Sequence, residues 1–306
     1  MLRSVLISAS RSARCRALAE RAPVVRAVVN RFVAGAGVDD AIRVCRELAA
    51  DRLVSLDHLG EDTLEREQAT ATVDAYRTVL RRLDDEGLAA RAEVSVKLSA
   101  LGRALPVDGE KIALENTRLI CAAAAAAGTR VTVDMEDHTT TDSTLAIVRA
   151  LRVDFPDTGT VLQAYLKRTE ADCADFAGPG SRIRLCKGAY DEPASVAFRK
   201  KSEVAASYVR CLKVLMRGKG YPMVATHDPR LIDIAGELAG RIDFEYQMLY
   251  GIRPDVQQRL AAQGRKMRVY VPYGTEWYPY FVRRLAERPA NVAFFLRALA
   301  GAQPVR

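Results

Sequence analysis

The stretch EVSVKLS (residues 93–99) sets Val94, Val96 and Leu98 on one face of an extended chain and Glu93, Ser95 and Lys97 on the other. Successive side chains of a strand point to opposite sides, so one face is aliphatic and the other polar. VTVDME (131–136) repeats the pattern, with Val131, Val133 and Met135 opposed to Thr132, Asp134 and Glu136. MRVYVPYG (267–274) does so again, Val269 and Val271 against Arg268 and Tyr270. Aliphatic faces are expected to pack on outer helices and polar faces to point into a closed barrel. An ordinary barrel interior is filled with branched apolar residues, so this much polarity suggests a ligand inside.

Five further runs have strand character: DRLVSLDHL (51–59), TVLQAYLK (160–167), SRIRLCKG (181–188), PMVATHD (222–228) and IDFEYQML (242–249). Amphipathic helical segments separate them, such as LENTRLICAAAAAAG (114–128) and SEVAASYVRCLKVLMRG (202–218), each closing at a glycine. Strand–helix alternation repeated eight times predicts an α/β chain forming a distorted (βα)8 TIM-type barrel. One domain over residues 1–306 is expected, with extra N-terminal helices over about 1–50 and the barrel over about 51–306. The competing architecture is an open doubly wound sheet. Against it, no strand runs into a G-x-G-x-x-G turn, and the glycines of AGAGVDD (34–40) precede the first strand.

The 306 residues are 49% hydrophobic, enough for a large core, and the net charge of +8 is modest for the length. Basic residues are interleaved with acids, as in TLEREQATATVDAYRTVLRRLDDEG (63–87), which reads as solvated helix faces and not as a nucleic-acid surface. Six cysteines lie far apart with no Cys-x-x-Cys pair, and His58, His138 and His227 have no metal-ligand spacing. Buried free thiols in a reducing compartment and no metal site are expected. No apolar run reaches the length that spans a bilayer. The first acid is Glu20, and the Arg- and Ser-rich opening resembles a transit peptide, but an amphipathic helix continuing into APVVRAVVNRFVAG (22–35) is the favoured expectation.

Catalytic groups of such barrels collect at the C-terminal ends of the strands. This chain places Lys97, Asp134, Gln163, Arg184 with Lys187-Gly188, Thr226-His227, Gln247 with Leu249, and Tyr270 there. Any one of them has a plain explanation: Lys97 could pair with Asp134, and Gln163 could be a satisfied core amide. Seven strands contributing together point to a site. No Ser-His-Asp set stands out, whereas Lys97, Arg184, Lys187 and the adjacent Arg283 and Arg284 of WYPYFVRRLAERPANVAFF (277–295) form a surplus of cations. Arginine pairs of this kind suit a carboxylate or phosphate; a snorkelling surface pair is the alternative. Gly188 would let the backbone approach a phosphate closely. The functional readings are an enzyme taking anionic substrate and cofactor, a Schiff-base aldolase or decarboxylase using Lys97 or Lys187, and a non-enzymatic anion- or membrane-binding module, the last of which predicts an apolar interior.

VSVKLSALG (94–102), VTVDMED (131–137), VLQAYLKR (161–168), RIRLCKGAYDEP (182–193), ATHD (225–228), FEYQMLYG (244–251) and YVPYGTEWYPYFVRRLAERPANVAF (270–294) together resemble the flavin-dependent proline dehydrogenases in their short monofunctional bacterial form. The similarity runs in order from RFVAGAGVDDAI (31–42) to the C-terminus. It implies a distorted (βα)8 barrel with non-covalent FAD, oxidising L-proline to Δ1-pyrroline-5-carboxylate by hydride transfer to flavin N5. The implied partners are a membrane quinone as acceptor and a pyrroline-5-carboxylate dehydrogenase for the product. The implied location is cytoplasmic, with peripheral contact at the inner face of the cell membrane. By resemblance, Lys97, Arg283 and Arg284 hold the proline carboxylate, Tyr270 packs on the ring and Leu249 is its apolar neighbour. Asp134 and Arg184 are the catalytic positions, and Glu61 is a gate that pairs with Arg283. Met135, Gln163, Arg184, Lys187, Gly188, Ala189, Thr226 and His227 match FAD contacts. Cys186 replaces an aliphatic residue of many relatives, and GTEW (274–277) departs where some carry a histidine. From spacing alone, Glu287 offers Arg283 an intrahelical ion pair as an alternative partner.

Overall fold

Helix α1 (Val38–Ala49) turns one apolar stripe, Ala41, Ile42, Val44, Cys45 and Leu48, inward, and with it packs on strands β1 (Leu53–His58) and β8 (Met267–Tyr273). From β1 the chain alternates through α2 (Arg66–Asp85), β2 (Ala92–Val96), α3 (Gly109–Ala126), β3 (Val131–Val133), α4 (Thr141–Asp154), β4 (Gly159–Gln163), α5 (Thr169–Phe176) and β5 (Arg182–Cys186). It continues through α6 (Lys201–Arg217), β6 (Tyr221–Ala225), α7 (Pro229–Ala239), β7 (Glu245–Leu249), α8 (Pro254–Ala262), β8 and α9 (Trp277–Glu287). This computed structural model describes residues 28–287; the expected N-terminal helix lies outside the described residues up to 27, and within them it extends only over residues 28–29 before a turn, not to residue 35.

The eight strands pair in chain order, all parallel, and β1 closes on β8 to complete the barrel. The predicted barrel is therefore observed, and each predicted strand run overlaps one strand, with β2, β4 and β6 starting one residue before theirs. Element boundaries follow local chemistry. Pro229 and Pro254 stand at the first turns of α7 and α8, where a missing N–H costs nothing. Asp228 caps α7 by accepting from the Arg230 N–H at 3.1 Å. α3 stops at Gly128, whose φ of +74° few other residues would adopt.

The aliphatic strand faces join the helices in one core that includes Val94, Val96, Val133, Leu185, Val224 and Val269. A second cluster places α9: Phe281, 1% exposed, packs with Val28, Val29, Phe32, Val33 and Leu59. That cluster sets the helix carrying Arg283 and Arg284 beside the loop that leaves β1.

Inside, the polar faces divide into two levels, and the lower one corrects the simple reading that interior polarity means ligand. Glu93 accepts from Arg182 Nη2 at 2.8 Å and lies 3.8 Å from Arg268 Nη1. Arg268 in turn binds Glu245 at 2.6 and 3.0 Å and donates to the Val54 carbonyl at 2.8 Å. These charges pair with one another and form an ionic floor, in which Arg182 Nη1 alone of the named groups is buried without a hydrogen-bond partner. Burial pushes the Glu93 carboxyl up, but the guanidinium groups of Arg268, Arg182 and Arg184 outweigh it and hold it down at about 2.

Candidate active site

Above the floor, at the C-terminal ends of the strands, the extended chain after β2 carries Lys97 inward, where its ammonium meets Asp57 at the end of β1. Both Asp57 oxygens accept from Lys97 Nζ at 2.7 Å, and Asp57 is fully buried. Asp134 Oδ2 is farther, at 3.8 Å, and the Tyr270 hydroxyl is at 3.5 Å. Burial is the largest influence on Lys97 and pulls its pKa down. The carboxylates of Asp57, Asp134 and Glu61 together exceed it, so the net shift is upward and the lysine is held as a cation. A permanently protonated lysine is a poor Schiff-base nucleophile.

Asp134 is surrounded by donors. Its Oδ1 accepts from Ser95 Oγ at 2.9 Å and Arg184 Nη1 at 2.7 Å, and its Oδ2 from the Tyr270 hydroxyl at 2.7 Å. Arg184 joins the two levels. Nε donates to Gln247 Oε1 at 2.6 Å, Nη1 to Ser95 at 2.9 Å and Nη2 to Ser55 at 3.3 Å, while the guanidinium carbon lies 5.2 Å from the centre of the Tyr270 ring. The arginine is thus fixed in place before any ligand enters.

Glu61 and Arg283 form a two-point ion pair. Nη1 donates to Oε2 at 2.8 Å, and Nη2 to Oε1. Burial tends to raise Glu61 and lower Arg283, but each partner's charge outweighs it, so both remain ionised. Arg284 lies 5.2 Å over the Tyr280 ring, and Arg283 lies 6.0 Å over the half-buried Tyr190.

Across the mouth, buried Met135 and the following residue offer their carbonyls to Gln163 Nε2 at 3.1 and 3.0 Å. Those two bonds fix the amide orientation and leave Gln163 Oε1, also buried, without a partner. A buried acceptor in that state costs stability unless something fills it. The turn after β5, Lys187-Gly188-Ala189, is pressed against Tyr165: a Cβ on Gly188, whose φ is +107°, would lie 2.2 Å from the ring. Lys187 reaches Asp228 at 2.7 Å, Asp228 N–H donates to Thr226 Oγ1 at 3.1 Å, and His227 Nε2 accepts from the Leu249 N–H at 3.0 Å. Burial pushes the Cys186 thiol up to about 12, which leaves it protonated and unreactive.

The sequence-predicted residues thus lie at one end of the barrel in three groups: the Lys97–Asp134–Arg184–Tyr270 cluster, the Glu61–Arg283 pair with Arg284, and the Gln163-to-His227 arc. Asp57 escaped the sequence reading, and Glu136 was read only as a polar strand position. Alternation in β1, polar Ser55 and Asp57 against Val54 and Leu56, carried the signal for the first. Glu136 was expected on the inward strand face, but β3 ends at Val133, and its carboxylate instead binds Ser99 and Arg103.

A closed (βα)8 barrel with a paired ionic floor and a carboxylate-and-cation cluster at the C-terminal ends of its strands has the architecture of a barrel enzyme. The proline dehydrogenase family model matches residues 41–297, and the chain belongs to that family. It is 40% identical over 280 residues to the Deinococcus radiodurans protein named proline dehydrogenase, covering 89% of this chain and 90% of that one. It is 38% identical to proline dehydrogenase 1 of Bacillus subtilis, covering 88% and 90% respectively. Among solved structures, proline utilization A (PutA) from Bdellovibrio bacteriovorus, inactivated by N-propargylglycine, superposes with a TM-score of 0.77 at 25% identity. A PutA variant from Bradyrhizobium japonicum gives 0.74 at 25% identity. The matches cover 85% and 90% of this chain but 32% of each PutA chain, so the chain spans about a third of those longer proteins. Family membership implies a flavin cofactor.

Proposed function

We propose that this chain oxidises L-proline to Δ1-pyrroline-5-carboxylate, the first step of proline catabolism, with FAD as cofactor and a membrane quinone as final acceptor. The reading rests above all on the cluster of Lys97, Asp134, Arg184 and Tyr270 beside the Glu61–Arg283 pair, in a chain of this family. Lys97, Arg283 and Arg284 bind the substrate carboxylate. Because Arg283 is already paired with Glu61, a carboxylate that takes its place releases Glu61, and the pair works as a gate. Tyr270 and Leu249 pack on the ring and shut out water, and Asp134 fixes Tyr270 and Arg184 relative to each other.

The residues present suit FAD. Gln163 Oε1 is a buried acceptor in want of an N–H, whereas the space left by the missing side chain of Gly188 is taken by the Tyr165 ring, so the glycine serves the packing of that turn. Met135, Gln163, Arg184, Lys187, Gly188, Ala189, Thr226 and His227 would hold the cofactor, with Lys187 and the first turn of α7 suited to phosphate. When bound, FAD supplies the acceptor, at N5, for the hydride lost from proline C5. Arg184 contributes a fixed positive charge beside that ring. No helix among the described residues is long and apolar enough to cross a membrane, so contact with a membrane quinone would be peripheral, at the inner face of the cell membrane. A pyrroline-5-carboxylate dehydrogenase would take the product.

The test is chemical: the cofactor released by denaturing purified protein is identified by mass, and the visible flavin band is followed on adding L-proline without oxygen. FAD and bleaching support the proposal. A colourless protein whose Lys97 or Lys187 is trapped as a substrate adduct by borohydride would replace it with the aldolase reading.

A further inference from the structure

Glu136 is 5% exposed and makes no bond to the cluster around Asp134, yet it ties together Ser99, Arg103 and Gln163. Its Oε2 accepts from the Ser99 N–H at 3.1 Å and from Arg103 Nη2 at 2.6 Å, and its Oε1 from the Ser99 hydroxyl. Ser99 Oγ in turn accepts from the Asp62 N–H at 3.1 Å, and the Ser99 carbonyl accepts from Thr63 N–H at 3.1 Å. Asp62 has a φ of +52°, in the left-handed region that aspartate enters more readily than most residues, as suits a tight turn. The turn Glu61-Asp62-Thr63 is therefore held by Ser99, and Ser99 is held by Glu136. On its other side, the Glu136 carbonyl accepts from Gln163 Nε2 at 3.0 Å. Arg103 Nη1 donates to Thr144 Oγ1 at 2.8 Å, which anchors the same unit to α4.

We infer that Glu136 is a positioning residue that sets the Glu61 loop and the Lys97 segment at a fixed height above the Gln163 side of the site. The inference rests on the proposed function, because it assigns the height of the loop to the closing of Glu61 on Arg283 when a carboxylate is absent. Ser99 is two residues past Lys97 and is tied to residues 62 and 63, one and two past Glu61. One carboxylate thus fixes where both ion pairs meet the substrate, without touching it.

The experiment uses the full chain with its flavin. Glu136→Gln keeps the volume but removes the negative charge that faces Arg103 and the second acceptor oxygen that takes the Ser99 hydroxyl. Ser99→Ala keeps the Glu136–Arg103 pair and the Ser99 N–H bond to Glu136, and removes the hydroxyl that links Glu136 to the Asp62 N–H. The loss of one hydrogen bond to a charged group predicts a rise in KM for L-proline of about tenfold in each variant, with kcat changed much less. Amide hydrogen exchange over residues 60–64 should quicken in both. Because the two changes break one chain of contacts, the double variant should raise KM little beyond the worse single variant. Multiplicative effects, or unchanged exchange at 60–64 in Ser99→Ala, would overturn the assignment. The exchange measurement needs no turnover, so failure of the tether is distinguishable from failure of the proline reading, in which the unmodified chain itself would not turn over proline.

Discussion

Replacing Asp57 by Asn removes one negative charge and little else, since the two side chains have nearly the same shape. Lys97 Nζ then loses two charge-assisted bonds of 2.7 Å, and the nearest remaining carboxylate is Asp134 at 3.8 Å. At an effective dielectric of 20, a charge pair at that shorter distance is worth roughly 6 kcal/mol before desolvation. The Asn variant no longer bears the cost of burying Asp57, which offsets part of that. Breaking a buried pair by removing one partner typically costs about 3–5 kcal/mol. For a protein of this size that predicts a melting temperature lower by roughly 6–10 °C. The lysine itself changes too. Its pKa stands above the ordinary value only because the carboxylates overcome burial, so without Asp57 burial gains weight and the pKa falls. Substrate binding that needs the ammonium is intact below that pKa and lost as pH rises through it. KM for L-proline should therefore climb at a lower pH in Asp57→Asn than in the unmodified protein. Thermal melts followed by circular dichroism, with KM measured across the alkaline range, check both parts. A melting temperature within about 2 °C of the parent and an unmoved alkaline limb would show that Asp57 does not hold Lys97.

Glu93 gives the acid counterpart: its folded pKa is depressed to about 2, so the stability it contributes is present above its ordinary value and disappears as pH falls toward 2. Glu93→Gln should cost about 3–5 kcal/mol at neutral pH and flatten the acid limb of a denaturation profile; a parent-like limb would refute the ionic floor. On the proposed role of Arg284, Arg284→Met would remove one carboxylate contact worth about 2–5 kcal/mol, so kcat/KM for proline should fall tens-fold or more with flavin retained, and near-parental kinetics would exclude the contact. Tyr270→Ser should harm proline turnover more than that of trans-4-hydroxy-L-proline, because it opens space for a hydroxyl; equal losses with a lowered melting temperature would assign Tyr270 to packing against Asp134 alone.

The barrel was legible because period-two alternation is a local property: Val94, Val96 and Val133 face the helices wherever the strand falls, and closure follows from eight such strands. Strand-end chemistry was legible for the same reason, since Lys97, Asp134 and Arg184 stand at predictable levels. What alternation cannot supply is the partner across the barrel. Glu93 and Arg182 are 89 residues apart, and nothing local reveals that they neutralise each other instead of lining a ligand site. The Lys97–Asp57 pair was hidden likewise, because Asp134 was the acid already in view. Spacing within α9 offered Glu287 for Arg283 while the family resemblance offered Glu61, and the described contacts give Glu61. Glu136 was misplaced because the polar alternation outlasts the strand, whose last residue is Val133.

The most direct test of the account is a single anaerobic mixing of the flavin-loaded protein with L-proline carrying deuterium at C5, at C2, or at neither. The account predicts bleaching of the flavin band with one Δ1-pyrroline-5-carboxylate formed per flavin, slowed by deuterium at C5 and indifferent to deuterium at C2. Absence of bleaching, or slowing by the C2 label alone, would contradict it.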